Sequence, residues 1–394
     1  MSLKHRTRVV AALGTAQTLS WASSYYLPAV LAEPMARDLG VDRPLVFAAF
    51  SLALIVSALM GPWSGRQIDR HGGRPVLMAT NIVFALGLAG LGLAQGPVGL
   101  LAAWFVIGVG MGSGLYEAAF ATLVRLYGTD SRNSITGITL IAGFASTVGW
   151  PLSAWLESHH GWRGACFTWA ALHLLLGLPL NAWVRGPAAD AGAEAKPAAA
   201  AAAVAAQPTP PPPRYASALV ASVFAATWVT STAMASHLPG MLQAAGATLA
   251  VAVGVGALVG PAQVAGRLLE FGFLRRVHPL LSARLASIAH PLGVLALLGL
   301  GPAMAPVFAL LHGGGNGILT IAKGTLPLAL FGPQGYGQRQ GWLMLPSRVS
   351  QAFAPVLFGL ALQAWGAQAL WLSFGLGLSA FGALMLLRAG RPAA

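Results

Sequence analysis

The chain has 394 residues, of which 56% are hydrophobic and only 8% are charged, and its mean hydropathy is +0.69. Because soluble proteins carry roughly a quarter charged residues, this composition excludes an ordinary water-soluble domain and indicates a protein embedded in the lipid bilayer. The net charge of +13 does not indicate nucleic-acid binding, since the basic residues separate the apolar runs and form no continuous patch.

Long apolar runs follow one another along the chain. No Asp, Glu, Lys or Arg occurs in Pro75–Leu115 or in Leu285–Ala322, and each run is long enough for nearly two spans of about 20 residues. The hydrophobicity is continuous and does not alternate, which predicts helices and excludes the strands of a barrel. We therefore predict an all-α membrane protein with twelve transmembrane helices, near residues 9–32, 44–67, 75–95, 98–123, 134–157, 164–184, 215–241, 248–272, 278–299, 303–325, 341–364 and 367–388.

The Lys and Arg residues favour one side of this topology. With both termini placed inside, the alternate inside segments contain twenty of them, and only Arg37, Arg43 and Arg163 fall outside. By the positive-inside rule, this distribution predicts a multi-pass protein of a bacterial cytoplasmic (inner) membrane with both termini cytoplasmic. The segment Val9–Ala32 is too long for a signal peptide and is predicted to be the first span.

One low-complexity segment, Arg185–Arg214, lies between the sixth and seventh predicted spans. It is rich in Ala and Pro, so it cannot bury a core, and its Pro-rich end at Pro210–Pro213 should be extended. We predict a cytoplasmic linker at 185–214. It joins an amino-terminal six-helix bundle, residues 1–184, to a carboxy-terminal six-helix bundle, residues 215–394.

The two halves contain related segments at the ends of the second and eighth spans. Gly61–Arg74 and Gly260–Arg275 both follow the pattern G-P…G-R-x-x-acid-x4-R, in which Asp69 and Glu270 are the acids. The second copy has two extra residues before its second glycine. A repeat of this kind indicates two parallel halves related by an axis along the membrane normal.

The first of these segments contains Gly65-Arg66-Gln67-Ile68-Asp69-Arg70-His71-Gly72-Gly73-Arg74. It resembles the signature G-x-x-x-D-R-x-G-R-[RK] of the major facilitator superfamily, with one extra glycine before Arg74 and Pro75 in place of the last basic residue. Gly161-Trp162-Arg163, before the sixth span, is also similar to the family. The resemblance implies the major facilitator fold of two pseudo-symmetric six-helix bundles. It also implies a cytoplasmic latch formed by Gly65, Asp69, Arg70, Gly73 and Arg74.

Two positions depart from the proton-driven exporters of this family. Trp104 stands where many members have an arginine, and Gly143–Pro151 matches the glycine/proline motif of antiporters only loosely. Gln263 and Arg267 in the eighth span, with Tyr116 in the fourth, resemble instead the substrate motif of monocarboxylate and oxalate/formate-type carriers. This resemblance implies that these three residues contact the solute.

Glu117 is the only acid in the interior of any predicted span. An ionisable side chain at membrane depth is costly and is a hypothesis for function by default. Because an apolar cavity favours the neutral form of a carboxyl group, we predict that Glu117 loads and releases a proton. The other interpretation is a carboxylate permanently neutralised by Arg125, two turns further on.

Arg267 and Glu270 are one helical turn apart and can pair on one face of the eighth span. In one interpretation Arg267 binds a substrate carboxylate and Glu270 takes part in proton coupling. In the other, both residues belong to a second cytoplasmic latch, as the repeat suggests. The sequence leaves both interpretations open.

Polar residues of the first and tenth spans are further predicted contacts of the solute. Gln17, Tyr25 and Tyr26 offer amide and hydroxyl groups, although tyrosines near a span end are also typical of an interfacial belt. Asn316 follows three glycines and indicates close helix packing or a break. Lys323 is expected to extend to the cytoplasmic surface.

His237 is predicted to contact the solute from the seventh span. It shares a face with Met234 and Met241, and such a set of soft ligands would suit copper(I). Core methionines are far commoner than metal ligands, so we predict no metal site.

The sequence contains no phosphate-binding loop and no hydrolase motif, so we predict neither an ATP-driven pump nor an enzyme, and no cofactor. We predict a monomeric secondary transporter that works by alternating access. Its expected solute is a small organic anion, such as a monocarboxylate, that moves with protons. The alternative is efflux of a toxic compound or of a metal or metalloid species.

Overall fold

The computed structural model describes residues 3–184 and 215–388, and helices make up nearly all of these two ranges. The helices of the first half are α1 (Leu3–Ser23), α2 (Pro28–Leu39), α3 (Arg43–His71), α4 (Gly73–Leu93), α5 (Pro97–Gly114), α6 (Tyr116–Tyr127), α7 (Arg132–Ala142), α8 (Ala145–Leu172) and α9 (Leu178–Trp183). Those of the second half are α10 (Ala216–Ala244), α11 (Leu249–Gly272), α12 (Pro279–Leu300), α13 (Ala305–Phe331), α14 (Tyr336–Trp365) and α15 (Leu370–Leu386). No strand occurs in either range.

Three of the predicted spans are divided. The first is broken at 24–27 between α1 and α2, the fourth at Leu115 between α5 and α6, and the fifth at 143–144 between α7 and α8. Each break lies beside a residue that continues a helix poorly, namely Pro28, Gly114 or Gly143. Breaks in membrane helices are tolerated only where other protein groups surround the freed backbone, so they indicate the interior of the bundle.

The fifth and sixth predicted spans meet without a loop. α8 consists of two helical segments, one in each of these spans, and Gly161, whose φ of 68° and ψ of 170° are not helical, forms the kink between them. Glycine adopts this positive φ without the steric cost that a side chain would add. A π-helical turn at His173–Gly177 then leads into α9.

The outer surface of the helices is strongly apolar. Leu59, Leu93, Val98 and Leu175 are each more than 60% exposed, and many other large apolar side chains share this surface. In the described ranges, seven helical stretches are long and apolar enough to cross a membrane. Water would disfavour such a surface, whereas lipid accommodates it. The chain is therefore a multi-pass membrane protein.

Polar contacts distinguish the two ends of the bundle. We call the end that holds Arg6, Arg125 and Arg132 the basic end, and the end that holds Asp38 and Arg163 the opposite end. At the opposite end, an Nη atom of Arg163 lies 2.9 Å from Asp38 Oδ2. Helices run from one end to the other, so that α3 begins at the opposite end and α14 begins at the basic end.

The two halves are joined firmly at the basic end. The backbone N–H groups of Gly337 and Gln338, at the start of α14, each donate to the Asp69 carboxylate at 2.9 Å. Arg132 Nη2 lies 2.8 Å from Glu270 Oε1. Further hydrogen bonds join the halves about halfway along α14. The structure is therefore closed at the basic end.

The predicted linker, 185–214, and the two chain ends beyond residues 3 and 388 lie outside the described residues. The division into 1–184, 185–214 and 215–394 accordingly stays a prediction, as does the placement of both termini on the cytoplasmic side.

Candidate solute-binding site

Six side chains come together between the halves, and we call them the central cluster. Their proximity is defined by an ion pair, ring contacts and electrostatic interactions across the interface. The first half contributes Trp21 and Glu117, and the second half contributes Trp228, Arg267, Lys323 and Arg348.

Glu117 owes its position to the break between α5 and α6. Leu115 is extended, with φ −81° and ψ −167°, and α6 starts again at Tyr116. Glu117 therefore lies in the first turn of α6, where the helix dipole favours a negative charge. Arg348 Nη2 donates to both of its carboxylate oxygens, at 3.0 and 3.1 Å.

Arg348 is the partner of Glu117, and this corrects the sequence interpretation that Arg125 would neutralise the carboxylate. Arg125 instead donates to the backbone carbonyl groups of Asp69 and Arg70 at the basic end. Arg348 is 3% exposed and comes from the second half, so the ion pair crosses the interface between the halves.

Lys323 is a buried cation without a hydrogen-bond partner. Only 4% of the residue is exposed, and its Nζ has no such partner in the described ranges. The Nζ atom lies 3.8 Å from the centre of the Trp228 ring, a cation–π contact that is worth about 2 kcal/mol when it is desolvated. The expectation that Lys323 extends to the surface is wrong, because α13 continues two turns further, to Phe331.

Arg267 is a second buried cation, with 6% of the residue exposed. Its Nε has no hydrogen-bond partner, and the guanidinium forms no ion pair, in the part of the chain that the structure describes. The guanidinium passes beside Gly143, where a Cβ atom would collide with Nη1. The break between α7 and α8 therefore makes room for this arginine.

Aromatic rings from both halves complete the central cluster. The Trp21 and Trp228 rings are almost parallel, with their centres 6.4 Å apart and 9° between their planes. Tyr116 lies 5.0 Å from the Trp21 ring and stacks on Phe120. The Arg348 guanidinium lies 5.5 Å from the Trp228 ring centre and 5.9 Å from that of Trp21.

The charges of the central cluster do not balance. Glu117 is engaged by Arg348, and in the described ranges no carboxylate pairs with Arg267 or Lys323. Buried charges are costly unless they are paired. A cluster of this kind can bind an anion, because an anion supplies the negative charge that the protein side chains lack.

Three predicted contacts from the first span lie around this cluster. Tyr25 accepts a hydrogen bond at 2.8 Å from Gln351 Nε2 of the second half, so its hydroxyl lies at the interface. The Tyr26 ring packs edge-on against Trp150. Gln17 is 2% exposed and donates to the Gly114 carbonyl at 2.6 Å, next to the break before α6.

Three predicted contacts from the second half lie on α10, α11 and α13. Gln263 is half-buried, and its backbone carbonyl oxygen lies so close to Gly317 that a Cβ atom at Gly317 would collide with it. The half-buried Asn316 belongs to the same tight crossing of α11 and α13, and α13 is continuous there. His237 Nε2 lies 2.7 Å from the Pro355 carbonyl oxygen, so that nitrogen is already engaged within the second half.

Glu270 lies at the basic end. It is 1% exposed and pairs with Arg132, so the expected pair with Arg267 is not formed. Arg132 also donates to the carbonyl groups of Val277 and Leu274, at 2.7 and 3.0 Å. The two residues of the repeat thus have different environments, one in an ion pair between the halves and the other in the central cluster.

The five predicted latch residues have distinct positions. Gly65 contacts the backbone of Gly337 so closely that a Cβ would collide with its carbonyl oxygen, and Gly73 packs in the same way on Thr122. Asp69 accepts the two backbone hydrogen bonds described above. The Arg70 and Arg74 side chains are exposed.

Four members of the central cluster were not predicted as site residues, namely Trp21, Trp228, Lys323 and Arg348. The sequence did contain a signal for Arg348, since it lies seven residues inside the span predicted at 341–364. Arg267, Lys323 and Arg348 had all been counted as basic residues of the cytoplasmic side. Tryptophans occur throughout the chain, and only the fold brings these two together.

Comparison with known proteins decides the family. Residues 13–322 match the Major Facilitator Superfamily. The chain belongs to this family. Its members are transporters and not enzymes, so the predicted all-α membrane fold of this family, the predicted transporter and the prediction that the chain is not an enzyme are all confirmed. The count of twelve transmembrane helices stays a prediction.

The sequence similarity to individual relatives is modest. An uncharacterized 38 kDa protein of Thermoproteus tenax is 28% identical over 341 residues, which cover 86% of this chain and 84% of that protein. The gallate transporter of Pseudomonas putida is 28% identical over 39% of this chain and 34% of its own length. The cis,cis-muconate transport protein of Acinetobacter baylyi is 30% identical over 42% of this chain and 39% of its own length. The match thus spans little more than a third of the two named transporters.

Solved structures have the same fold. The crystal structure of the human organic anion transporter MFSD10 aligns with a TM-score of 0.68 over 98% of this chain and all of that one, at 18% identity. A solved proton:xylose symporter aligns with a TM-score of 0.72 at 12% identity. At these identities the likeness concerns the fold alone.

Proposed function

We propose that this protein is a proton-coupled secondary transporter of small organic anions that carry a carboxylate. The observation that carries the proposal is the pair of buried cations, Arg267 and Lys323, that have no carboxylate partner among the described residues. A carboxylate would supply the missing charge, and the planar guanidinium of Arg267 suits a carboxylate particularly well. The relatives named for transport of gallate and muconate, both carboxylates, support this solute class.

Glu117 is the proposed coupling group. When it is ionised it holds Arg348 through two hydrogen bonds across the interface. Protonation of Glu117 would remove this charge attraction and release Arg348. The Arg348 guanidinium would then be a third cation available to a bound anion. Proton loading would thus change both the affinity for the anion and the contact between the halves, which is what coupling by alternating access requires.

The orientation of the protein follows from the charges. We propose that the basic end faces the cytoplasm of a bacterium, since most of the Lys and Arg residues outside the central cluster belong to that side of the predicted topology. When the three buried cations are left out of the count, the excess of Lys and Arg residues on that side is still large. Since α3 and α14 are joined at the basic end, the structure then corresponds to a conformation closed to the cytoplasm.

The test is solute binding and uptake by the purified full-length protein. A thermal-shift screen with small carboxylates, followed by calorimetry, should find ligands whose affinity falls at least about ten-fold in Arg267→Gln and in Lys323→Gln. Arg276→Gln is the matched control, because Arg276 is an exposed arginine just beyond the end of α11. Equal binding by wild type, Arg267→Gln and Lys323→Gln would refute the anion site.

A further inference from the structure

The two tryptophans of the central cluster share a feature that the proposed function does not explain. Their indole N–H groups have no hydrogen-bond partner in the described part of the chain. Nε1 of Trp21 and Nε1 of Trp228 are both buried, and neither has a hydrogen-bond partner within residues 3–184 and 215–388. A buried donor without a partner costs about 1–3 kcal/mol. One such donor comes from each half, and the two rings are almost parallel, with 6.4 Å between their centres.

This pair lies directly beside the two cations that lack a carboxylate. Lys323 Nζ is 3.8 Å from the Trp228 ring centre, and Lys323 interacts electrostatically with Arg267 and Glu117. The site therefore offers two free positive charges and two free N–H donors. One carboxylate can bind the two cations. The two indole N–H donors, which belong to different halves, then still lack an acceptor.

Aromatic side chains of the first half pack around the Trp21 ring. Trp21 packs against Tyr116 and Tyr25, with ring centres 5.0 and 5.2 Å apart. Aromatic faces favour flat conjugated ligands, because stacked and edge-on ring contacts are worth about 0.5–1.5 kcal/mol beyond the area that they bury. A saturated, puckered ligand of the same charge makes fewer such contacts.

We propose that the solute is a flat, conjugated dicarboxylate, and that Trp21 and Trp228 are the specificity-determining residues that donate to it from the two halves. This inference rests on the proposed function and narrows it. The cations hold the first carboxylate, and the indole N–H groups donate to the oxygens of the second. Because each half supplies one donor, a ligand with both acid groups bridges the halves, whereas a monocarboxylate leaves the indole donors unpaired.

Three probes separate planarity from the second acid group. Terephthalate is flat and has two carboxylates, trans-1,4-cyclohexanedicarboxylate has two carboxylates on a puckered ring, and benzoate is flat with one carboxylate. Calorimetry on the purified wild-type protein should give terephthalate a Kd about ten-fold lower than that of either of the other probes. If the puckered dicarboxylate or benzoate binds as tightly as terephthalate, the proposal is wrong.

Conservative variants test the two tryptophans. Trp21→Phe and Trp228→Phe keep an aromatic face but remove the N–H donor, so each should reduce the preference for terephthalate over benzoate several-fold. Trp104→Phe is the matched control, since its indole N–H is likewise buried and unpaired but lies outside the central cluster. An unchanged preference in both site variants, or an equal loss in Trp104→Phe, would overturn the proposal.

The same measurements distinguish failure of this inference from failure of the proposed function. If all three probes bind and Arg267→Gln weakens each of them, the anion site stands whatever the tryptophan variants do. If none of the probes binds to the wild-type protein and no carboxylate stabilises it in the thermal-shift screen, both proposals fall.

Discussion

The Glu117 carboxylate of the first half and the Arg348 guanidinium of the second form an ion pair, with Nη2 3.0 Å from Oε2. The two residues are 231 positions apart in the chain. Arg348 is almost fully buried, and its Nη1 has no hydrogen-bond partner in the described ranges. The ion pair is thus a polar connection between the two halves.

The first prediction concerns this ion pair. Glu117→Gln keeps the shape of the protonated side chain but cannot titrate, so the variant should still exchange solute in counterflow and should lose accumulation driven by a pH gradient. Proteoliposomes prepared from wild type and variant measure both activities. Survival of pH-driven uptake in the variant would assign Glu117 a structural role.

The same substitution should also affect stability, because it leaves Arg348 buried without a carboxylate. Breaking one partner of a buried pair costs about 3–5 kcal/mol, whereas removing both is much less costly. We expect the thermal stability of Glu117→Gln to fall and that of the double variant Glu117→Gln, Arg348→Gln to recover in part. A double variant no more stable than Glu117→Gln would contradict this account.

The second prediction concerns the close contact of α3 and α14 at the basic end. Gly65→Ala places a Cβ against the Gly337 carbonyl oxygen, so the two helices must separate, at a cost of about 1–3 kcal/mol. We expect a lower thermal stability and impaired transport. Gly260→Ala is the matched control, since nothing lies within 4 Å of its added Cβ and alanine favours a helix. Equal effects of the two substitutions would show that the contact with Gly337 is unimportant.

The third prediction concerns Asp69, which accepts two backbone N–H groups at the start of α14. Asp69→Asn retains one acceptor oxygen but loses the negative charge at this helix N-terminus, which is worth roughly 1 kcal/mol. The closed basic end should therefore be less populated. Transport should fall strongly while calorimetric ligand affinity falls only modestly, and complete loss of binding by a folded variant would place Asp69 in the solute site.

The fourth prediction concerns orientation. Single cysteines replacing Ala199 or Gly390, both outside the described residues, are placed in a Cys166→Ala background, whose native thiol is buried. If the basic end is cytoplasmic, neither cysteine should react with an impermeant thiol reagent in intact cells, and both should react after permeabilisation. Labelling of either cysteine in intact cells would reverse the proposed topology.

The fifth prediction concerns His278, in the connection before α12. Its Nδ1 accepts a hydrogen bond from the Leu280 N–H at 3.1 Å, and burial together with Arg132 and Arg284 lowers the pKa of His278 below its ordinary value of 6.5. The neutral ring is therefore the form that stabilises the fold. Its contribution is complete above pH 6.5 and is lost as the pH falls through the lowered pKa.

We expect the thermal stability of the wild type to fall between pH 7 and pH 4 more steeply than that of His278→Asn. Asparagine also caps helices but does not titrate in this range. Thermal melts of the two proteins over this pH range make the comparison. Parallel pH profiles would show that His278 does not contribute to acid sensitivity.

Much of the architecture could be predicted from the sequence because the bilayer imposes few solutions. Uncharged runs such as Pro75–Leu115 must form helices that satisfy their own backbone, and the segment around Asp69 pointed to the family. The breaks at Leu115 and at 143–144 were missed, because the apolar pattern continues through them. These breaks position Glu117 and admit Arg267, so the missed features belong to the candidate site.

The sequence by itself determined the helical membrane class and the family resemblance, and it identified Glu117 as the one acid inside a predicted span. Only the tertiary structure decided the partners of that acid and of its neighbours. Arg348 and not Arg125 meets Glu117, Arg132 and not Arg267 meets Glu270, and Lys323 is buried against Trp228. Hydropathy depends on local composition and can therefore be read directly from the sequence. These contacts join residues of different helices, most of them from opposite halves, and they form only once the helices pack together.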